Sequence, residues 1–273
     1  MESRTINDFS KIERYFDHYI EWDKRLAFEI PFLVSLLEKI GARTVLDVGC
    51  GSGRHVAELL KRGFDAVGLD PSVHLLDTAA EICRRLGVEG EFVMGSAIEL
   101  NRESGGILGQ GGALDGRSFD ACIALGNIFP LIHEPELILK SLKCCHYALA
   151  KGGILISHMP NYAKKIAERD KSMRFREAII DEAESMLIKT LQFIDRADGG
   201  KPDISMHMLV LIPDGDTYRF EDNTVPLYPI LPDEFGQLLR SAEFDEVEFY
   251  GSMGGEIFDI QASHDLVTVA AKK

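Results

Sequence analysis

From residue 44 onward, short runs of apolar residues alternate with longer amphipathic stretches. The runs at 44–48, 65–69, 91–94, 119–124 and 153–158 read as strands, and the stretches near 53–62, 72–86 and 134–150 read as helices. Apolar strands separated by amphipathic helices predict a parallel sheet covered on both faces. Upstream, residues 1–40 read as helical. Phe28, Phe32, Leu36 and Ile40 recur at helical spacing, and Ile30, Leu33 and Leu37 widen the stripe. Tyr15, Phe16, Tyr19 and Trp22 place aromatic residues just before it. Residues 101–118 are glycine-rich and aperiodic, which predicts a mobile surface loop.

Beyond 158 the pattern changes. A helix carrying Ile166, Phe175, Ala178 and Ile179 is expected, then three β-like runs at 186–194, 204–212 and 217–225, the last two joined by a hairpin at Asp214-Gly215. A helix at 232–242 and strands at 246–250 and 266–271 close the chain. The whole reads as an α/β fold: a doubly wound, seven-stranded, mostly parallel sheet with an antiparallel β cap inserted after strand five. The expected division is 1–162 for the N-terminal helices and first part of the main domain, 163–226 for the cap, and 227–273 for the rest. A chain of 273 residues is long enough for one sizeable core plus such an insertion.

The first strand carries the chemistry. Val45-Leu46-Asp47-Val48 runs into Gly49-Cys50-Gly51-Ser52-Gly53, and the second strand ends on Asp70, seventeen residues past the third glycine. Glycines let the backbone turn sharply and let a ligand approach the peptide plane. A carboxylate at the tip of the next strand is placed to accept both hydroxyls of a ribose. A dinucleotide site would space its glycines G-x-G-x-x-G. Here the third glycine comes one residue early, and Asp47 would repel a pyrophosphate while suiting a ligand that carries an ammonium and a sulfonium.

Charge and cysteine usage narrow the acceptor. The formal net charge of −14 argues against nucleic acid, whose binding gains affinity from lysine and arginine on phosphates. No apolar run reaches the ~18 residues that span a bilayer, and no signal-peptide core follows Met1, so a cytoplasmic location and no membrane partner are expected. The five cysteines, Cys50, Cys83, Cys122, Cys144 and Cys145, include no C-x-x-C pair and read as buried reduced thiols. The fourth strand continues into Asn127-Ile128-Phe129-Pro130 without a carboxylate cluster, so no metal is expected.

The segment Leu46–Gly53 resembles the first motif of the class I S-adenosylmethionine-dependent methyltransferases. Leu125-Gly126-Asn127-Ile128-Phe129, Ile156-Ser157-His158 with Asn161-Tyr162, and Leu227-Tyr228-Pro229 resemble the glycine and sarcosine N-methyltransferase group within that class. The resemblance implies S-adenosylmethionine as cofactor and S-adenosylhomocysteine as product. It places Asp47, Gly49, Gly51 and Gly53 at the methionyl portion, Arg25 at its carboxylate, Asp70 at the ribose, Ser96 and Ala97 at the adenine, and Leu125 beside the sulfonium. Ser96 stands where the family usually has an aspartate. For the acceptor it implies Asn127, with His158 as proton acceptor and Tyr228 orienting an amine lone pair. It also implies a small amine acceptor, a homo-oligomer (dimer or tetramer) and an N-terminal segment that closes over the site. Met159-Pro160 replaces the arginine that clamps the carboxylate in the glycine-specific enzymes, which favours an acceptor other than glycine, larger or uncharged. The expected activity is methylation of a small molecule on nitrogen; O-methylation, protein methylation and non-catalytic cofactor binding share the same cofactor residues.

Overall fold

The computed structural model of the protein describes residues 10–101, 106–180 and 182–273. Two helices, α1 (Ser10–Tyr19) and α2 (Trp22–Lys39), precede an alternation of β1 (Thr44–Val48), α3 (Arg54–Leu60), β2 (Asp65–Asp70), α4 (Val73–Arg85) and β3 (Glu91–Met94). The chain then forms β4 (Phe119–Ala124), α5 (Ile128–Leu131), α6 (Pro135–Ala148), β5 (Leu149–Pro160) and α7 (Tyr162–Glu168). An excursion of four strands follows, β6 (Arg174–Ile180), β7 (Ala183–Ile194), β8 (Asp203–Asp214) and β9 (Thr217–Leu227). Helix α8 (Pro232–Ser241), β10 (Glu246–Tyr250) and β11 (Asp265–Ala271) complete the main layer.

The main sheet has seven strands in the order β10-β11-β5-β4-β1-β2-β3. Strands β1 to β5 are parallel, and β11 inserts antiparallel between β10 and β5. Because β2 and β3 lie on one side of β1 and β4 on the other, the chain direction switches between β1 and β4, and a crevice opens beyond the C-terminal ends of these strands. Leu46, Val48, Leu69 and Leu155 pack on one face against α6 and α8; Val45, Ile123 and Ile156 pack on the other against α2 and α3. Each fully buried leucine or valine contributes about 1.5–3 kcal/mol, so these strands are held by both layers. Among the described residues, no helix is long and apolar enough to cross a membrane.

The cap is an antiparallel sheet in the order β6-β7-β8-β9. Leu187, Leu191, Met206, Met208, Val210 and Val225 form its inner face and pack with Tyr15 and Tyr19 of α1 and with Tyr162. The cap has one strand more than the sequence pattern predicts. The expected helix through Phe175, Ala178 and Ile179 stops at Arg169, whose φ of 51° ends α7. Residues 174–180 alternate instead: Phe175 and Ile179 stay exposed while Ile180 is buried, a period of two that spacings of three and four also fit over so short a run. Two further corrections concern packing. In α2 the buried stripe is Ile30, Leu33 and Leu37, whereas Phe28 and Ile40 are exposed. The expected surface loop sends Leu108 and Leu114 into the core beside β4. All five cysteines are buried, and none is in a disulfide.

Candidate active site

The loop after β1 turns on residues in the left-handed region. Gly49 has φ +74° and a Cβ there would meet Ile128 Cδ1 at 2.4 Å; Gly51 has φ +54° and nothing within 4 Å of its missing side chain. The first glycine is required by packing, the second leaves the backbone open to a ligand. Gly53 is the N-cap of α3. Asp70 ties this turn to the next loop, because Gly51 N–H donates to Oδ2 at 2.9 Å and Ser72 N–H to Oδ1 at 2.9 Å. Each oxygen keeps lone pairs for further donors. Burial raises the Asp70 pKa, the two amides opposing it.

Asp47 lies at the foot of the turn. It is 2% exposed, and its Oδ2 has no hydrogen-bond partner. Burial, and next the charge of Asp70, push its pKa up to about 8, with Arg25 pulling the other way. A buried carboxylate oxygen left unpaired is costly unless a ligand supplies the donor.

Arg25 reaches the same space from α2. Its Nε donates to Glu29 Oε1 at 2.9 Å, and a Cβ on Gly126 would lie 3.3 Å from Nη2, so the terminal amines face the end of β4. Glu29 also bonds His55 Nε2 at 2.7 Å. Burial opposes its ionisation, but the His55 hydrogen bond and the Arg25 charge hold Glu29 at about 2. Burial lowers the His55 pKa, which makes the ring a neutral N–H donor to Glu29 at pH 7. Trp22 lies between two guanidinium groups, with Arg25 Cζ 5.1 Å and Arg54 Cζ 5.2 Å from its ring centroid. Asp17 on α1 accepts from Ser52 Oγ at 2.5 Å and Arg54 Nη2 at 2.8 Å, latching α1 onto the glycine turn.

A cavity of about 690 Å³ opens beside these groups. Asp47, Gly49, Gly51, Asp70, Ser96, Ala97, Leu125 and Arg25 all lie on its wall, together with Phe16 and Asp17 of α1 and Ile20 just after it. Gly53 caps α3 instead of lining the cavity. Ser96 has a partner already: its hydroxyl and its backbone N–H both donate to Glu99 Oε2, at 2.8 and 2.7 Å.

The three expected acceptor residues sit at the rim or outside it. Asn127, at φ 80°, accepts from the Tyr162 hydroxyl at 2.9 Å, and its backbone N–H donates to the His158 carbonyl at 3.1 Å. His158 holds Nε2 3.5 Å from Asp265 Oδ1, while its buried Nδ1 has no partner. Tyr228 gives its hydroxyl to Glu234 at 2.5 Å, beneath the Lys201 ammonium 3.8 Å from its ring centroid, away from the cavity wall. The sequence reading passed over Glu29, His55 and Asp17. The i, i+4 spacing of Arg25 and Glu29 on a helix was a usable signal for one of them; no local pattern links Asp17 to Arg54 or Glu29 to His55. Among the described residues, no cluster of ligands suited to a metal ion is present.

A methyltransferase domain model matches residues 45–153. The chain is 35% identical over 146 residues to a glycine/sarcosine N-methyltransferase of Halorhodospira halochloris, covering 54% of this chain and 50% of that one. A second glycine/sarcosine N-methyltransferase, from Aphanothece halophytica, is 26% identical and covers 86% of this chain and 78% of its own. The chain thus spans about half the length of the Halorhodospira relative and more of the other. Among solved structures, an S-adenosylmethionine-dependent methyltransferase from Clostridium acetobutylicum superposes with a TM-score of 0.75 at 16% identity, covering 97% of this chain and 99% of that one.

Proposed function

We propose that this chain, a class I S-adenosylmethionine-dependent methyltransferase by its domain and fold, methylates an amine nitrogen of a small molecule. The observation that carries the reading is the unpartnered oxygen of buried Asp47 at the foot of the glycine turn. A buried anion that lacks a donor, facing an open main-chain bend and the paired carboxylate of Asp70, fits an adenosyl ligand with a cationic tail. S-adenosylmethionine supplies, when bound, a methyl group on an already activated sulfonium carbon.

The chain's own residues hold and shield. Asp70 accepts the ribose hydroxyls, the Arg25 terminal amines take the methionyl carboxylate, and Asp47 takes the ammonium. Ser96 and Ala97 border the adenine. Because a sulfonium needs no further activation, alignment and exclusion of water supply most of the rate, and α1, with the cap packed behind it, would provide the exclusion. An amine must reach the site unprotonated and must lose a proton after transfer. His158 Nδ1, buried and unpartnered, is the group proposed to take it, and Asn127 is proposed to orient the acceptor. Nitrogen as the acceptor atom rests on the likeness to the two glycine/sarcosine N-methyltransferases. A small acceptor is supported by the cavity of about 690 Å³ and by the acidic chain, which disfavours nucleic acid.

Calorimetry with S-adenosylmethionine and S-adenosylhomocysteine, followed by mass-spectrometric detection of methylated products from a panel of small amines, tests the proposal. Uptake of both compounds and a mass gain of one methyl on an amine are expected. No uptake of either compound refutes it.

A further inference from the structure

The inner face of the cap is an apolar layer with a charge set into it. On β7, Leu187 and Leu191 are buried, and between them on the same face stands Lys189, whose register partner on β8 is the buried Met208. On the other side its partner is Arg174 of β6. Like charges directly opposite each other in antiparallel strands destabilise the pair. No carboxylate among the described residues lies within ion-pair distance of either, whereas Arg176, next along the same face, is paired with Glu21 at 3.2 Å. The Lys189 ammonium rests 5.2 Å from the ring centroids of both Phe16 and Tyr19. Tyr19 is only 8% exposed, and its hydroxyl is buried with no hydrogen-bond partner. A buried hydroxyl without a partner, on a ring that carries an unpaired ammonium over its face, is a donor that an acceptor group would satisfy.

We propose that Lys189, Arg174 and the Tyr19 hydroxyl form an anion subsite that binds a carboxylate of the methyl acceptor. The subsite rests on the methyl-transfer reading above and assigns the acceptor its charge. Phe16, whose ring lies beneath Lys189, also lines the cofactor cavity, so the subsite adjoins that cavity from the cap side. The end of β5, Met159-Pro160, offers no cation there, and the cap supplies the charge instead. The two cationic donors and the neutral hydroxyl donor can share the two oxygens of a carboxylate. Burial, reinforced by Arg174, Arg25 and Lys165, brings the Lys189 pKa down to about 8. A bound carboxylate reverses that shift.

The test titrates acetate, with inorganic phosphate as a second arm, into the S-adenosylhomocysteine-loaded protein while nuclear magnetic resonance follows the Lys189 side chain. Acetate is expected to shift the Lys189 signals saturably and raise its pKa by at least one unit. Lys189→Met and Lys189→Gln are expected to weaken acetate at least tenfold and leave S-adenosylhomocysteine affinity within twofold. Lys189→Met should also raise the melting temperature, since a cation leaves an apolar layer. Lys171→Met, beyond the inner face, should bind acetate normally. Cofactor uptake without an acetate response at Lys189 overturns the subsite and spares the methyl-transfer reading. So does phosphate binding in place of acetate, or an equal loss in Lys171→Met. Failure to take up S-adenosylhomocysteine overturns both. The wild-type titration decides even if a variant does not fold.

Discussion

Replacing Asp47 by asparagine isolates the group on which cofactor recognition turns. In the unfolded chain an aspartate ionises near 3.8, and in the folded protein Asp47 ionises at about 8, chiefly because it is buried. Between those values the folded state holds one more proton than the unfolded state. The group's contribution is therefore fully present below pH 3.8 and is lost as pH rises through about 8, at about 1.4 kcal/mol per pH unit. From pH 5 to pH 7 the ligand-free protein is expected to lose about 3 kcal/mol through this residue, and Asp47→Asn to lose none of it. Binding runs the opposite way. With a pKa of about 8, roughly a tenth of the carboxyl is ionised at pH 7, and an ammonium beside it draws out the remaining proton. Uptake of S-adenosylhomocysteine at pH 7 is thus expected to release about 0.9 proton, with affinity rising nearly tenfold between pH 6 and pH 7. Calorimetry in two buffers of different ionisation enthalpy measures the proton count directly. An enthalpy independent of buffer, with affinity flat from pH 6 to 7 and Asp47→Asn binding as tightly as wild type, would refute the reasoning.

Five other substitutions have defined outcomes. Gly49→Ala combines left-handed strain with a contact on Ile128 and should cost about 2–4 kcal/mol in urea unfolding; Gly63→Ala, with φ +85° and open space around it, should cost about 1 kcal/mol. Glu29 is held at about 2 against an ordinary 4.5, so its contribution, about 3 kcal/mol, is present above pH 4.5 and lost as pH falls toward 2. Acid unfolding of Glu29→Gln should be correspondingly shallower, and an unchanged profile counts against the Arg25–Glu29–His55 network. Asp17→Asn removes the ion pair that latches α1 to the turn; stopped-flow should show cofactor dissociation ~3- to 10-fold faster, at an exposed-to-partly-buried pair's cost of about 1 kcal/mol. Tyr228→Phe loses only the hydrogen bond to Glu234, so thermal stability should drop by about 1 kcal/mol while kcat stays within twofold; a hundredfold loss of kcat would place the hydroxyl in the reaction.

What the sequence determined by itself is local. Five apolar runs and their intervening helices can pack only as a covered parallel sheet, and Asp47, the three glycines and Asp70 lie within 24 residues of one another on adjacent strands, so their convergence is set by two short loops. The cofactor wall was legible for that reason. Only the tertiary structure decided what comes from afar. Whether α2 buries Phe28 or Leu33 depends on which stripe meets the sheet, and both stripes have helical spacing. Residues 174–180 became a strand because β7 lay beside them to pair with. Asp17 reaches Arg54 across 37 residues, and Lys189 reaches Tyr19 only because the cap folds back on α1. Such pairs carry no periodicity, because their distance in space is set by how layers dock and not by the turn of a helix or the pleat of a strand.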